Sequence, residues 1–596
     1  MNSSLPAPRI ACLFALLAPA AAAQWSADPA ANLALADTAD EEAQPKVAQR
    51  ADGGSYVSWF HSDPGGSPAF GFDVRLQRLD ADGNELWPHG GVLIADRGFS
   101  STQDYSLAVD GGGNALLAFR DDRFTGTQIT ATRVDASGAQ TWGPTGVQLT
   151  STTAFVAAPK IAATTDGAAV VAWTQNSETR VQRLDGATGA PLWPADVVLT
   201  PADGGNYGAS DLHGADQGTV ILALQKSGGF TAPRHLHAQK LDPSGAPLWG
   251  ANPLVIFDSG SLQFGNFPTF VPDGAGGAVF GWYSSSPSLE CFAQRVTANG
   301  AEVFPHNGVA ASTNGALERT SPWVGFDPVS QATFLVYPEE NLSLSGVSAQ
   351  KLDAAGNRLW SNTGATLAGP DSEDHTGAAG VVREGELTAF WVASPGFGQD
   401  RIEGARTDAG GAVVGALIDV STTPAQKFRV QASLAQGGDA VVVWQDGGAS
   451  GDVQIQNVNP NGTLGLPLTI DTATLSLASG GTASYGLNAG AEQGSAIYLM
   501  LGSASGTAPG LDVDGVNVPL NPDAYFSFSL LGAASSSLYV GFLGTLSPDG
   551  FANASFVLPP GANPALAGTD VHHAYVALES LQVAFASNAV AFELVP

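Results

Sequence analysis

Apolar and polar positions recur along this chain in repeating units. One unit shows the rule. Lys160-Ile161-Ala162-Ala163 leads to a turn at Asp166-Gly167, and Ala168-Ala169-Val170-Val171-Ala172-Trp173 reads as a short buried strand bounded by turn residues. Thr179-Arg180-Val181-Gln182-Arg183-Leu184 alternates polar and apolar side chains, as a half-buried strand does. Asp185 to Gly189 predicts a tight turn, and Pro191-Leu192-Trp193 to Leu199 predicts a fourth strand. Four antiparallel strands per unit predict one blade of a β-propeller.

The turn glycine of the unit recurs eight times, at Gly83, Gly138, Gly189, Gly245, Gly300, Gly356, Gly411 and Gly462. The period is about 54 residues, in the range of propellers and solenoids. The words around the glycines repeat as well: Arg78-Leu79-Asp80, Arg133-Val134-Asp135, Arg183-Leu184-Asp185, Lys240-Leu241-Asp242 and Lys351-Leu352-Asp353 precede five of them. An Asp side chain can accept bonds from the amides of a tight turn, and Gly tolerates the left-handed conformation such a turn needs. An aromatic follows four residues after six of the glycines, at Trp87, Trp142, Trp193, Trp249, Phe304 and Trp360. The even offset predicts that all six share one strand face. Packed between blades, each would contribute about 2–3 kcal/mol of hydrophobic stabilisation.

The last two units drift, with Gly415 and Leu466 at the aromatic position. Trp25 to Leu35 resembles a fourth strand without the three before it, so it is expected to complete the last blade and close the ring. From about Asp471 the rhythm stops. Thr474–Ala478, Ala496–Met500, Tyr525–Ser529, Ser537–Val540, Ala574–Leu578 and Ala589–Phe592 are strand-like there, which suits a β-sandwich. The expected fold is therefore all-β: an eight-bladed β-propeller over 24–470 followed by a small C-terminal β-sandwich over 471–596.

Residues 1–23 read as a signal peptide, with Arg9, an apolar run from Ile10 to Ala18 and a small-residue site at Ala21-Ala22-Ala23. The run is too short to cross a bilayer, which needs about 20 residues. The mature protein is expected to be exported to the periplasm, cell surface or extracellular space, and to be a monomer without a transmembrane segment. Cleavage would leave Cys291 as the one cysteine, so a core rather than disulfides must supply stability. The formal net charge of −31 opposes nucleic-acid binding, which needs clustered Lys and Arg.

The complete match Asp185…Thr188-Gly189…Trp193 resembles the tryptophan-docking motif of quinoprotein-like propellers; other copies are one residue shorter and lack the Thr. The resemblance covers most of 25–470. It implies a propeller fold and two kinds of relative: dehydrogenases using pyrroloquinoline quinone with calcium, many with a pair of adjacent cysteines over the cofactor, and non-enzymatic protein-binding scaffolds. This chain has no such cysteine pair.

Other candidate chemistry is sparse. Asp80-Ala81-Asp82-Gly83-Asn84-Glu85 looks like part of a calcium loop, but it coincides with the repeated turn and lacks the remaining ligands. His235 and His237 share a strand face without an evident third ligand and read as exposed strand histidines; His572 and His573 point to opposite faces. No cofactor is expected, calcium being the one candidate. The expected function is a non-catalytic scaffold that binds protein or glycan through its loops and rim. The alternative is a propeller enzyme (a glycoside hydrolase, a lyase or a quinone-dependent dehydrogenase) acting at the central channel. Inward carboxylates or histidines at one mouth of the channel would favour that alternative.

Overall fold

The structure, a computed structural model, describes residues 25–63, 71–98, 105–448 and 451–596. The signal-peptide expectation for residues 1–23, and Gln24, lie outside them. The chain is nearly all-β, with one α-helix among the described residues. No helix is long and apolar enough to cross a membrane.

Eight antiparallel sheets of four or five strands follow one another from Glu42 to Val458. Their inner strands are Glu42–Gln49, Tyr105–Val109, Val156–Ala163, Asn206–Gly214, Thr269–Pro272, Trp323–Asp327, Asp374–Arg383 and Lys427–Leu434. Each packs beside the next, and the last lies against the first, so the sheets form a closed, propeller-like ring. The eighth sheet takes its outer strand from the other end of the chain: Leu33–Ala36 pairs with Asp452–Val458, Leu33 opposite Ile455. That pairing covers an edge that would otherwise be open.

The aromatic after each turn glycine links neighbouring sheets. Trp87 Nε1 donates to Ala136 O, Trp142 to Gly186 O, Trp193 to Pro243 O, Trp249 to Ala298 O and Trp360 to Ala409 O, at 2.9–3.1 Å. Each acceptor lies in the turn of the following sheet. The rings rest on that turn's glycine: a methyl group added at Gly189 would stand 2.7 Å from Trp142, and one at Gly356 2.7 Å from Phe304. Trp25 repeats the contact across the closure, donating to Ala81 O at 2.9 Å beside Gly83. Gly462 meets Ile418 and Arg406 instead, because the seventh unit has no aromatic to offer. One expectation needs correcting. The aromatics do not lie on a strand face: Trp87, Trp142, Trp193, Trp249, Phe304 and Trp360 sit in the bend before the outer strand, which in the third sheet spans only Val197–Leu199. The turn itself behaves as its chemistry predicts. Asp80 Oδ1 accepts from Asp82 N and Asn84 N, and all eight glycines have φ between 73° and 90°.

The repeated basic residue before each turn also crosses between sheets. Arg183 pairs with Asp166 of its own sheet and donates to Gly218 O of the next; Lys240 does the same with Asp216 and Gly276 O. One position back, Gln77, Gln182, Gln239, Gln294 and Gln350 are buried and bond the backbone around the aromatic.

Leu468–Ile470 already belongs to the C-terminal part, pairing with Gly481–Asn488. Two sheets there share a core around Tyr485, Met500, Phe556, Tyr575 and Phe592. The strand-like segment Tyr525–Ser529 is instead helical, within Ala524–Gly532. Its alternation suits a strand, but Asp523 caps the N-terminus by accepting from Phe526 N at 2.7 Å, and the buried Ser529 hydroxyl turns back to Phe526 O.

Candidate functional site

Register puts one residue of every inner strand at the same level of the ring. Each stands opposite the residue just before the large core side chain of the second strand. In sheets 1, 3 and 4 that position is Lys46, Lys160 and Asp211, opposite Ser58, Ala172 and Ala223. In sheets 6 and 8 it is Trp323 and Gln431. Two residues earlier, five of the eight strands kink through the left-handed region, at Gln44 (φ 56°), Ala158 (φ 52°), Ser321 (φ 47°), Gly377 (φ 67°) and Arg429 (φ 57°). In four of them the pairing register slips around that residue. Such bulges re-aim side chains, and four of these five are not glycine, so the conformation is held against its own cost.

Charged side chains from separated sheets act on one another across the ring. Lys46 feels the charges of Lys160, Arg429 and Asp211, which come from the third, eighth and fourth sheets. Burial first, then the two like charges, pull the Lys46 ammonium down to about 7, with Asp211 opposing. Its Nζ sits 4.8 Å above the ring of Tyr105, whose hydroxyl in turn holds the kink by donating to Gln44 O and bonds Ser58 O. Burial also lowers Lys160. Burial pushes the Asp211 carboxyl up, but His213, Lys160 and the Phe270 N–H together hold it below the ordinary carboxylate range. His213 Nε2 lies 3.2 Å from Asp211 Oδ2, and the imidazole remains 40% exposed. Burial opposes its charge and Asp211 more than compensates, so His213 is raised.

A cavity of about 370 Å³ opens beside this level, where sheets 7, 8 and 1 meet. Gln44, Gly377 and Arg429, three of the five kinks, line it with Thr376, Phe428 and Gln445; Glu41 stands on its edge. Burial, then Glu42, raises the Glu41 carboxyl.

This mouth end, where inner strands begin, also collects the exposed aromatics. Phe155, Phe230, Phe264, Phe397 and Phe428 are the exposed phenylalanines of the ring among the described residues. Every one lies where an inner strand starts or a second strand ends. Phe230 and Phe264 meet edge to face at 5.5 Å, with the Arg234 guanidinium 4.8 Å from the Phe264 ring.

The residues singled out in the sequence lie elsewhere. The six aromatics and their glycines stand at the opposite end of the sheets, and none lines the cavity. Asp80 spends its carboxylate on the turn amides and on Asn84. No group of three or more His, Cys, Asp or Glu among the described residues is arranged to hold a metal ion. His237 is not an exposed strand histidine: it is 6% exposed, bonds Tyr207 Oη through Nδ1, and is drawn down to about 4, chiefly by burial. His573 is buried in the C-terminal core between the hydroxyls of Tyr485 and Tyr525. Sequence reasoning missed Lys46, Asp211, His213 and Arg429. Their one signal is a charged residue in an inner strand, and that strand is the most degenerate part of the repeat.

No protein-family model matches the chain, and no curated protein sequence does. Among solved structures, the Dos1 propeller is similar with a TM-score of 0.40 at 11% identity, covering 72% of this chain and 94% of that one. Polysaccharide lyase Uly1 gives a TM-score of 0.35 at 12% identity over 68% of this chain and 88% of the other. A protein of unknown function from Dyadobacter fermentans gives 0.33 at 9% identity over 72% and 96%. Values this low leave the chemistry to be read from the chain's own residues.

Proposed function

We propose that this chain is an exported eight-bladed β-propeller of the quinoprotein-like type with a C-terminal β-sandwich, and that it is a non-catalytic scaffold capturing a protein or glycan on the mouth end of its ring. One observation carries the reading. All five exposed phenylalanines of the described ring gather at the end where the cavity opens, and they include the paired Phe230 and Phe264. Exposed aromatic surface costs solubility unless something covers it, and aromatics are enriched at binding surfaces. The test is binding of the purified mature protein to glycan and peptide arrays. A Phe230→Ser/Phe264→Ser variant should lose the signal, while Leu192→Ser/Leu359→Ser at the opposite end should keep it. Array binding that follows the opposite end, or no binding at all, would overturn the reading.

A second reading has its own observation. The Asp211–His213 pair and Lys46, with its ammonium near 7, place groups able to move protons inside the channel. A hydrolase or lyase would use them. If any glycan captured on the array is converted, His213→Gln should abolish conversion without abolishing capture; conversion that survives it excludes this channel chemistry.

A further inference from the structure

The chain carries 55 acidic and 24 basic residues, yet Lys46 feels two other cations, Lys160 and Arg429, against the single acid Asp211. Many basic side chains elsewhere are matched with acids, as Arg183 with Asp166, Lys240 with Asp216, Arg401 with Glu373 and Glu403, and Lys427 with Asp446, while others, such as Arg75, Arg234 and Lys351, bond backbone carbonyls instead. Among the described residues, Lys46 and Arg429 have no carboxylate within ion-pair distance. Arg429 lines the cavity from a left-handed kink that a non-glycine residue adopts only at a cost, and its charge reaches Lys46 on the first sheet. The acids near them are Asp211, already engaged by His213 and Phe270 N, and Glu41 on the cavity edge.

We propose that the channel mouth binds a compact oxyanion, a carboxylate or phosphate group, held by Arg429 and Lys46 with Lys160 beyond them. A guanidinium presents a planar fork that fits two oxygens of one anion, and an ammonium adds a point charge without directional demand. Concave, partly desolvated walls strengthen both interactions. The cavity of about 370 Å³, which Arg429 lines and Lys46 neighbours two residues beyond the lining Gln44, admits a group the size of one sugar ring or a phosphate monoester. A long polyanion is disfavoured by the same net charge of −31 that the channel locally reverses. The inference deepens the binding function proposed for this end, because it names what anchors the ligand.

The test is calorimetric titration of the full mature protein at low salt with inorganic phosphate, with glucuronate and with glucose. Saturable binding of phosphate or glucuronate, but not glucose, is expected, weakening as salt rises. Arg429→Gln should weaken it by at least about tenfold. Lys46→Met should do the same, but Arg429 is the decisive position because it is exposed and its loss leaves no buried gap; near-ultraviolet circular dichroism checks the fold of both. Phosphate binding without glucuronate identifies a phosphate anchor, and the reverse a carboxylate anchor. No saturable binding of either anion, equal binding of glucose, or an affinity unchanged in Arg429→Gln overturns the proposal. The Phe230→Ser/Phe264→Ser variant should keep its anion binding. A failed array with intact anion binding would therefore sink only the rim reading, and the converse only this one.

Discussion

At the residue scale the ring depends on single side chains that join two sheets at once. Trp193 is 7% exposed, bonds Pro243 O and packs on Gly245. Trp193→Ala should cost about 3–5 kcal/mol by opening a cavity between the third and fourth sheets. Chemical denaturation reads the loss, and a value below about 1 kcal/mol would show that the indole is not buried glue. His573 makes a different prediction. Burial, then His572, holds its imidazole down to about 3, against an ordinary value of 6.5, so the folded protein keeps it neutral. Between those values the unfolded chain binds a proton that the folded chain does not, so stability falls as pH falls through that window. The slope is at most about 1.4 kcal/mol per pH unit for one such group. His573→Phe, which suits the surrounding Phe542, Phe556 and Phe592, should be less stable at neutral pH because Tyr485 and Tyr525 lose their partner. It should nevertheless lose less on acidification. Melting curves of both proteins from pH 7 to pH 4 check this, and parallel curves would refute it.

At the element scale the smallest strand has the largest consequence. Leu33–Ala36 supplies the outer edge of the eighth sheet, and Trp25 docks on the first sheet. Deleting residues 25–36 should uncover the edge of Asp452–Val458 and the apolar cluster of Val443, Val453 and Ile455. Edge-to-edge association is the expected result. Deleting residues 468–596 should leave a folded ring, because the C-terminal sheets have their own core. Light scattering with thermal melting compares the two truncations; aggregation of the second alone would make the C-terminal part the fastener. The misjudged helix Ala524–Gly532 teaches the limit of patterning at this scale. A five-residue alternation cannot tell a strand from a capped helix, and the decision rests on one carboxylate, Asp523.

At the scale of the whole molecule, the closed ring with the cavity between its seventh, eighth and first sheets sets what can bind. The quinone branch of the resembling family leads to a clear expectation: pyrroloquinoline quinone with calcium should give no alcohol-dependent dye reduction, since the adjacent cysteine pair over the cofactor is missing. Activity on reconstitution would reverse it. The amino-acid sequence by itself determined the repeat, its turns and the partner of the N-terminal strand. Those features are local: an Asp reaches amides two to four residues away, a glycine adopts positive φ, and an aromatic recurs at a constant offset. It also marked the repeated Arg or Lys before each turn, though not that Arg183 and Lys240 bridge sheets. The tertiary structure alone decided the candidate site. Lys46, Lys160, Asp211 and Arg429 stand far apart along the chain, in inner strands whose residues vary from unit to unit. Only closing the ring brings their charges within reach of one another, where burial and the charges of Lys160 and Arg429 lower the Lys46 ammonium as no local pattern encodes.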